Sequence, residues 1–439
     1  MEMVCYFCTT ISLYRNTSLK IPEMTILIKS AKIIDPKSAF HNKQVDILVE
    51  NGTIKTIAET ITTSADTVVK LENLHLSQGW FDSSVSFGEP GYEERETIAN
   101  GLNVAGKSGF TDIVLNPKTN PIVDTSSLVV AITNKAQLHA VALHICGALT
   151  KHSKGVDLAE LYDMHKHGAI TFGDYKHAIT NANLLKIALL YAQNFNGLVQ
   201  SYPQDNQIAG KGLVNEHHNS TLYGLKGIPS LAEELQITRD LFILEYTGGK
   251  LHIPTITTAK SVELIKDAKA KGLDITCSVS VNHLLLTDDK LEEFESNYKL
   301  QPPLRTATDV DALRKGLKDG TIDMVTSDHQ PIDIEHKKTE FENASYGSIG
   351  LETAFGALKT IFTTEEIVNF LTRGKQRFNI KTSEIKVGNK ANFSLFNPEG
   401  SSTFTEKNVL STSKNSALLG TTLKGTVYGI VSQGDILLN

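Results

Sequence analysis

The chain is poor in cysteine and has no long run of basic or of apolar residues. Four cysteines in 439 residues cannot form a disulfide framework, so we expect a protein of the reducing cytoplasm. No uninterrupted stretch of about 18 apolar residues occurs, and a transmembrane helix is not expected. The chain has 43 Lys and Arg against 49 Asp and Glu, a net charge of −6, which disfavours binding to nucleic acid or to an anionic membrane.

The first 23 residues differ from the rest. Cys5 and Cys8 form a C-x-x-C pair, but no second pair lies at the spacing of a zinc ribbon. The apolar run is short and is interrupted by Arg15, which argues against a signal peptide. We predict that residues 1–23 are a disordered extension and that the folded chain begins at Met24.

Strand patterns lie at both ends of the folded chain. Near the N-terminus, Glu50-Asn51-Gly52 separates alternating apolar residues, which is a strong hairpin signal. A similar pattern returns at the C-terminus, and neither segment is large enough to bury a core alone. We therefore predict one composite β domain, made from residues 24–76 and 385–439.

Strand and helix patterns alternate between these segments. Strands are predicted at 79–87, 110–116, 140–148, 169–174, 197–202, 250–256, 273–281 and 322–328. Helical stretches are predicted at 94–108, 126–138, 157–167, 181–195, 230–247, 258–271 and 351–362. Alternation implies a parallel sheet, and eight strands over roughly 250 residues are typical of a (β/α)₈ TIM-type barrel. We predict this α/β barrel, with C-terminal helices, over 77–384. An open doubly wound sheet is the alternative, but no G-x-G-x-x-G follows the first strand.

Five segments carry a family resemblance: 79–91, 224–234, 301–305, 328–331 and 350–353. In order, they resemble the motifs P-G-x-x-D-x-H-x-H-x-R-E-P-G, G-L-x-G-I-P-x-x-A-E-E, N-P-P-L-R, D-H-A-P-H and G-L-E-T. These motifs belong to the dihydroorotase family of the amidohydrolase superfamily. The resemblance covers nearly the whole chain from Met24 to Asn439, and it implies the barrel and the composite β domain.

The resemblance also implies a reaction, the reversible closure of N-carbamoyl-aspartate to dihydroorotate by one or two zinc ions that generate hydroxide. The zinc-binding histidines of the family correspond here to hydroxyl residues. The H-x-H pair is Ser84 and Ser86, the strand-five histidine is Ser201, and the strand-six ligand is Thr255. A neutral hydroxyl is a weak zinc ligand and does not replace imidazole.

Two carboxylates remain at ligand positions. Asp174 stands where the family has a carboxylated lysine or an aspartate, and Asp328 matches the catalytic acid/base and metal ligand. Without imidazole they could hold a hard cation weakly, but not a tight tetrahedral zinc. The favoured interpretation is that both are remnants, hydrogen-bonded to loop backbone.

The substrate-binding positions differ as well. The arginine that would grip the substrate carboxylate corresponds to Gly88, and the asparagine of M-P-N-T to Lys118. The asparagine of N-P-P-L-R corresponds to Gln301, and the second histidine of D-H-A-P-H to Ile332. Recognition and chemistry are therefore both altered.

Other histidines and serines give weaker indications of a functional site. His217 and His218 are predicted to lie in a solvated loop, and His329 is predicted to be structural. Ser84 and Ser86 could suggest a serine hydrolase, but no G-x-S-x-G elbow is present.

The sequence therefore predicts a catalytically inactive dihydroorotase-like protein of pyrimidine biosynthesis, with no cofactor expected. The resemblance implies a structural role, because inactive chains of this family are partners of aspartate carbamoyltransferase, and we expect a homodimer. The alternative is an active, divergent cyclic-amide hydrolase, which would use Asp174 and Asp328 around an unusual metal site, with zinc or another metal, or would act without a metal.

Overall fold

Two eight-stranded sheets organise residues 24–439, which the computed structural model describes. The predicted extension, residues 1–23, lies outside the described residues. The strands are β1 (Thr25–Ile34), β2 (Gln44–Glu50), β3 (Thr53–Ala58), β4 (Thr67–Val69), β5 (His75–Gln78), β6 (Trp80–Val85), β7 (Phe110–Leu115), β8 (Ala142–Gly147), β9 (Ala169–Phe172), β10 (Leu198–Gln200), β11 (Val214–Asn215), β12 (Gly227–Ile228), β13 (Lys250–Ile253), β14 (Ile275–Ser280), β15 (Met324–Thr326), β16 (Asn392–Thr403), β17 (Thr422–Ser432) and β18 (Asp435–Leu438).

The helices lie mostly between the strands of the second sheet. They are α1 (Ile98–Lys107), α2 (Ser126–Lys135), α3 (Leu161–Lys166), α4 (Ala182–Ala192), α5 (Asn206–Ala209), α6 (His218–Leu222), α7 (Ser230–Thr247), α8 (Ala259–Ala270), α9 (Val281–Leu285), α10 (Ala307–Lys318), α11 (Ile334–Lys337), α12 (Ala354–Leu358) and α13 (Thr364–Thr372). None of these described helices is both long and apolar enough to cross a membrane.

The first sheet combines strands from both chain ends, in the order β18-β17-β16-β5-β1-β2-β3, with β4 beside β1. Strands β2 and β3 pair antiparallel across Asn51 and Gly52, whose φ angles of 49° and 67° lie in the left-handed region that asparagine and glycine tolerate. C-terminal β16 pairs antiparallel with N-terminal β5. This confirms the composite β domain, while its exact limits at 76/77 and 384/385 stay a prediction.

The second sheet is the predicted parallel barrel, in the order β15-β14-β13-β10-β9-β8-β7-β6. Each predicted strand window contains one of these strands. The first and last strands meet, because Ser86 N donates to His329 O at 2.7 Å and Ser327 N donates to the Asp82 carboxylate at 2.8 Å. The barrel is thereby nearly closed, and the carboxyl ends of its strands lie at one mouth.

Trp80 joins the two sheets. Its ring is fully buried and stacks on Phe355 with a centroid distance of 5.1 Å, and Phe396 of β16 lies 5.4 Å away. The backbone N–H of Trp80 donates to Ser394 Oγ at 2.9 Å. A large aromatic group that fills the junction favours one fixed orientation of the sheets.

Candidate active site at the barrel mouth

Three of the predicted site residues, Ser84, Ser86 and Asp328, lie together at the carboxyl ends of strands β6 and β15. Asn116, after β7, donates from Nδ2 to Ser84 Oγ at 3.0 Å and to Ser86 Oγ at 3.3 Å. Ser84 Oγ in turn donates to Asp328 Oδ1 at 3.2 Å. The positions that correspond to the H-x-H pair therefore form a small hydrogen-bonded network with the aspartate.

Lys176 forms an ion pair with Asp328 at the barrel mouth. Its Nζ lies 2.8 Å from Asp328 Oδ2 and 3.0 Å from Gln330 Oε1. The hydroxyl of the preceding Tyr175 lies 3.2 Å from Asp328 Oδ1. The side chains of Lys176 and Asp328 are only 9% and 10% exposed, so this ion pair is largely shielded from water. Burial also raises the pKa of Tyr175 well above its usual value, which keeps its hydroxyl protonated.

Little space remains between these side chains. The cavity at the mouth has a volume of about 10 Å³, which is the room needed by roughly one water molecule. It is lined by Ser84, Asn116, Tyr175, Lys176, Gln200, Tyr202, Pro254 and Thr255. Tyr202 OH is buried and has no hydrogen-bond partner among residues 24–439. The mouth is closed by side chains from several strand ends.

Two other ligand positions point elsewhere. Asp174 accepts hydrogen bonds from the backbone N–H of Thr150, at 2.9 Å, and from its hydroxyl, and burial raises the pKa of Asp174 to about 6. Ser201 Oγ donates to Asp240 of α7 at 2.6 Å. Asp174 thus has the predicted backbone partner, whereas the Asp328 carboxylate is bound by side chains instead of the predicted loop backbone. That the two carboxylates are remnants of a metal site stays a prediction.

The loop after β6 leaves no room for a side chain at Gly88. A Cβ atom placed there would lie 1.6 Å from the backbone oxygen of Tyr92, because Tyr92 N donates to Gly88 O and closes a tight turn. An arginine at this position would require the loop to move. Arg95, in the same loop, donates from Nε to Asp333 Oδ2 at 3.1 Å.

The remaining substrate-binding positions are dispersed. Lys118 lies near the mouth, with Nζ 5.7 Å from the ring centroid of Tyr175, and burial together with the charges of Lys176 and Arg95 lowers its pKa to about 7. Ile332 lines a separate surface groove of about 920 Å³. The structure gives Gln301 no side-chain hydrogen bond that would connect it with Asp328.

The comparisons with known proteins identify the family. A sequence model described as "Dihydro-orotase-like" matches residues 75–261. The "Dihydroorotase" of Syntrophus aciditrophicus is 36% identical over 423 residues, covering 94% of this chain and 99% of that protein. The "Dihydroorotase" of Pelotomaculum thermopropionicum is 34% identical over 422 residues, with the same coverage. The chain belongs to the dihydroorotase-like family.

The fold agrees with that membership. An L-hydantoinase from Arthrobacter aurescens aligns with a TM-score of 0.81, over 94% of this chain and 96% of that one, at 20% sequence identity. A dihydropyrimidinase from Brevibacillus agri aligns with a TM-score of 0.80 at 19% identity. At these identities the likeness establishes the barrel with its additional strand domain, and nothing about chemistry.

Sequence reasoning missed Tyr175 and Lys176. Both follow Asp174 directly, beyond the carboxyl end of β9, and (β/α)₈ barrels carry their site residues at the carboxyl ends of their strands. That position is the signal that could have identified them. The loop predicted for His217 and His218 is found for His217, whereas His218 is the first residue of α6, and both residues are exposed as predicted. The structure describes no group of three or more His, Cys, Asp and Glu side chains in residues 24–439 that could share a metal ion.

His252, in the strand-six segment, supports a pH-dependent prediction. It is fully buried, its Nδ1 lies 3.0 Å from Thr276 Oγ1, and burial lowers its pKa to about 3. In the unfolded chain the side chain of His252 has the ordinary histidine pKa of about 6.5. Below that pH the unfolded state is protonated and the folded state is not, so the stability that neutral His252 contributes is complete above about pH 6.5 and is lost as the pH falls. From pH 7 to pH 5 this group alone removes about 2 kcal/mol from the free energy of unfolding.

We expect His252→Gln to lose about 2 kcal/mol less stability than the wild type over this interval, because the variant lacks the titrating group. Urea unfolding at both pH values measures the difference. His218→Gln, at an exposed position, is the control and should follow the wild type. Parallel losses in His252→Gln and the wild type would contradict the prediction.

Proposed function

We propose that this chain is a non-catalytic member of the dihydroorotase-like family that serves pyrimidine biosynthesis as a structural subunit. One observation carries the proposal, the ion pair between Lys176 and Asp328. An ammonium group and a divalent cation compete for the same carboxylate, and a buried lysine already satisfies it with good geometry.

The residues at the ligand positions do not fit zinc. Four of them, Ser84, Ser86, Ser201 and Thr255, offer only neutral hydroxyls, whereas zinc sites use imidazole, thiolate and carboxylate. The two carboxylates, of Asp174 and Asp328, are held by Thr150 and by Lys176. We therefore derive no catalytic step through a metal, and we propose that the protein needs no cofactor.

Apart from the missing zinc ligands, the barrel mouth also lacks the space and the arginine that substrate binding would need. The cavity of about 10 Å³ is far smaller than sites for small molecules, which typically measure about 300–1,000 Å³. The tight turn at Gly88 also excludes the arginine that would bind a substrate carboxylate. A change at Lys176 alone would therefore not restore binding.

The proposed partner is aspartate carbamoyltransferase. This choice rests on the family resemblance, and a fold by itself does not identify a partner. Mixing the two proteins at micromolar concentration and separating them by size-exclusion chromatography tests it. We expect co-elution, and separate elution together with unchanged transferase assembly would exclude this partner.

The absence of catalysis has a direct test. We expect the purified full-length protein to contain zinc far below one equivalent and to hydrolyse dihydroorotate no faster than a buffer blank. Metal analysis and the hydrolysis assay should be run on the same sample, with an active dihydroorotase prepared identically as the control. Stoichiometric zinc or clear turnover would refute the proposal.

A second candidate is an active, divergent cyclic-amide hydrolase. The names of the relatives favour it, since proteins 34–36% identical over more than 90% of this chain are called "Dihydroorotase". Such an enzyme would have to displace Lys176 from Asp328 before any metal could bind. Turnover that appears only with added divalent metal would favour this candidate.

A further inference from the structure

Lys118 lies near the barrel mouth on a short loop whose backbone is well fixed. Its backbone N–H donates to Asn116 O at 2.8 Å, and Asn116 N donates to Val85 O at 2.8 Å, which ties the loop to β6. The following Thr119 is buried and donates from Oγ1 to Pro121 O at 2.7 Å. The lysine is thus held in one place, on the side of the barrel where the strands end.

The amine of Lys118 has no polar partner in the described part of the chain. Its Nζ makes no hydrogen bond and no ion pair there, although two carboxylates lie in the same region. Asp328 is bound to Lys176, with a distance of 2.8 Å between Oδ2 and Nζ. Asp333 is bound to Arg95, with a distance of 3.1 Å between Oδ2 and Nε. Neither carboxylate is free to pair with Lys118.

These surroundings favour the uncharged amine. Burial, together with the charges of Lys176 and Arg95, lowers the pKa of Lys118 to about 7. About half of the Lys118 amines are therefore neutral at pH 7, against roughly one in 2,500 for an ordinary lysine. The charge of Asp328 acts in the opposite direction and is the smallest of these influences. The nearby His177 adds no negative charge, and burial and the charge of Lys118 lower its own pKa.

The amine is shielded but can be reached from the solvent. The Lys118 side chain is partly exposed and is not among those that line the closed cavity of about 10 Å³. A small reagent can therefore approach it without opening the ion pair between Lys176 and Asp328. The positive potential that disfavours an ammonium group at this place favours an anion. The reagent that fits is small, electrophilic and negatively charged.

We propose that Lys118 is a modification site for small acyl phosphates, with its neutral amine as the acceptor of the acyl group. The nitrogen attacks the carbonyl carbon, so that a C–N bond forms. The C–O bond to the phosphate breaks, and its electron pair leaves with the phosphate. The phosphate also takes the proton that the nitrogen loses, which gives an amide on Lys118 and hydrogen phosphate. The inference does not depend on whether the protein is catalytic.

Site-resolved mass spectrometry of the full chain, after brief treatment with acetyl phosphate at pH 7, tests the proposal. We expect Lys118 to be acetylated at least about 20-fold faster than the exposed Lys211, because far more of its amines are neutral. Lys176, whose Nζ is bound to Asp328 in the same mouth, is the matched control and should stay unmodified. Equal rates for Lys118 and Lys211 would overturn the proposal.

The pH profile of the two rates identifies the reacting form of the amine. Between pH 6 and pH 9 the rate at Lys118 should rise and then become constant above about pH 8, whereas the rate at Lys211 should rise about tenfold per pH unit throughout. A rate at Lys118 that rises throughout in the same way would show an ordinary lysine and contradict the proposal.

An uncharged acetyl donor, p-nitrophenyl acetate, tests the preference for an anion. The ratio of the rates at Lys118 and Lys211 should be at least about threefold higher with acetyl phosphate, since only that donor is drawn by the positive potential. An equal or lower ratio would exclude acyl phosphates as the preferred donors. Lys118→Arg, checked for an unchanged fold by circular dichroism, should lose the fast acetylation. Fast acetylation that persists in this variant would assign the reaction to another lysine.

Discussion

Glu233→Ala is expected to lower the free energy of unfolding by about 3–5 kcal/mol, because it breaks a fully buried charged network. The Glu233 carboxylate accepts hydrogen bonds from Thr257 N at 2.8 Å, Thr258 N at 3.1 Å and Ser261 Oγ at 2.7 Å. These groups lie at the start of α8, where a negative charge is also favoured by the helix dipole. Alanine would leave these donors without partners in the interior.

The neighbouring Glu234→Ala is the matched control, since Glu234 is only partly buried and should lose less than about 1 kcal/mol. Urea unfolding followed by circular dichroism gives both values. Equal losses in the two variants would show that the network does not carry the stability assigned to it.

The same network explains two of the motifs in structural terms. Arg305, of segment 301–305, donates from Nη1 to Asn215 Oδ1 and to Ile228 O, both at 2.8 Å, and from Nε to Thr257 Oγ1 at 3.1 Å. Thr257 also donates to Glu233, of segment 224–234. Both motifs therefore hold the loops above the barrel together and can persist without any role in the reaction.

The barrel could be predicted from sequence because its signals are local. Each strand window shows a short apolar run, each helix a different period, and their alternation implies parallel pairing. The Asn51-Gly52 hairpin is a similar case, since its turn requires positive φ at both residues. Family motifs then identified Asp328 and the positions aligned with it.

The closed mouth could not be predicted in the same way. The contact between Lys176 and Asp328 joins residues 152 positions apart, and it depends on a turn in which Tyr175 has a φ of 54°. No periodicity encodes such a contact. A motif comparison finds only residues that replace known ligands, whereas Lys176 enters the site from a neighbouring position.

Lys176→Met is expected to destabilise the protein by about 3–5 kcal/mol, because it leaves the shielded Asp328 carboxylate without its cation. Lys118→Met is the matched control in the same mouth. Lys118 makes no ion pair with the described residues, and burial lowers its pKa to about 7, so removing its charge should be neutral or slightly stabilising. Urea unfolding of both variants measures the contrast.

The double variant Lys176→Met, Asp328→Asn separates the ion pair from packing. It removes both charges, and asparagine tolerates the φ of 49° at position 328, so the loss should be smaller than in Lys176→Met by about 2 kcal/mol or more. A double variant as unstable as the single one would assign the effect to the lysine stem instead.

The same Lys176→Met protein also shows what prevents zinc binding. If the lysine alone blocked the site, its removal would expose Asp328 and allow stoichiometric zinc and dihydroorotate hydrolysis. We expect neither, because Ser84, Ser86 and Thr255 still offer hydroxyls and Asp174 remains bound to Thr150, which leaves a single free carboxylate for the metal. Zinc uptake by Lys176→Met would mean that one side chain, and not the exchanged ligand set, separates this protein from an active site.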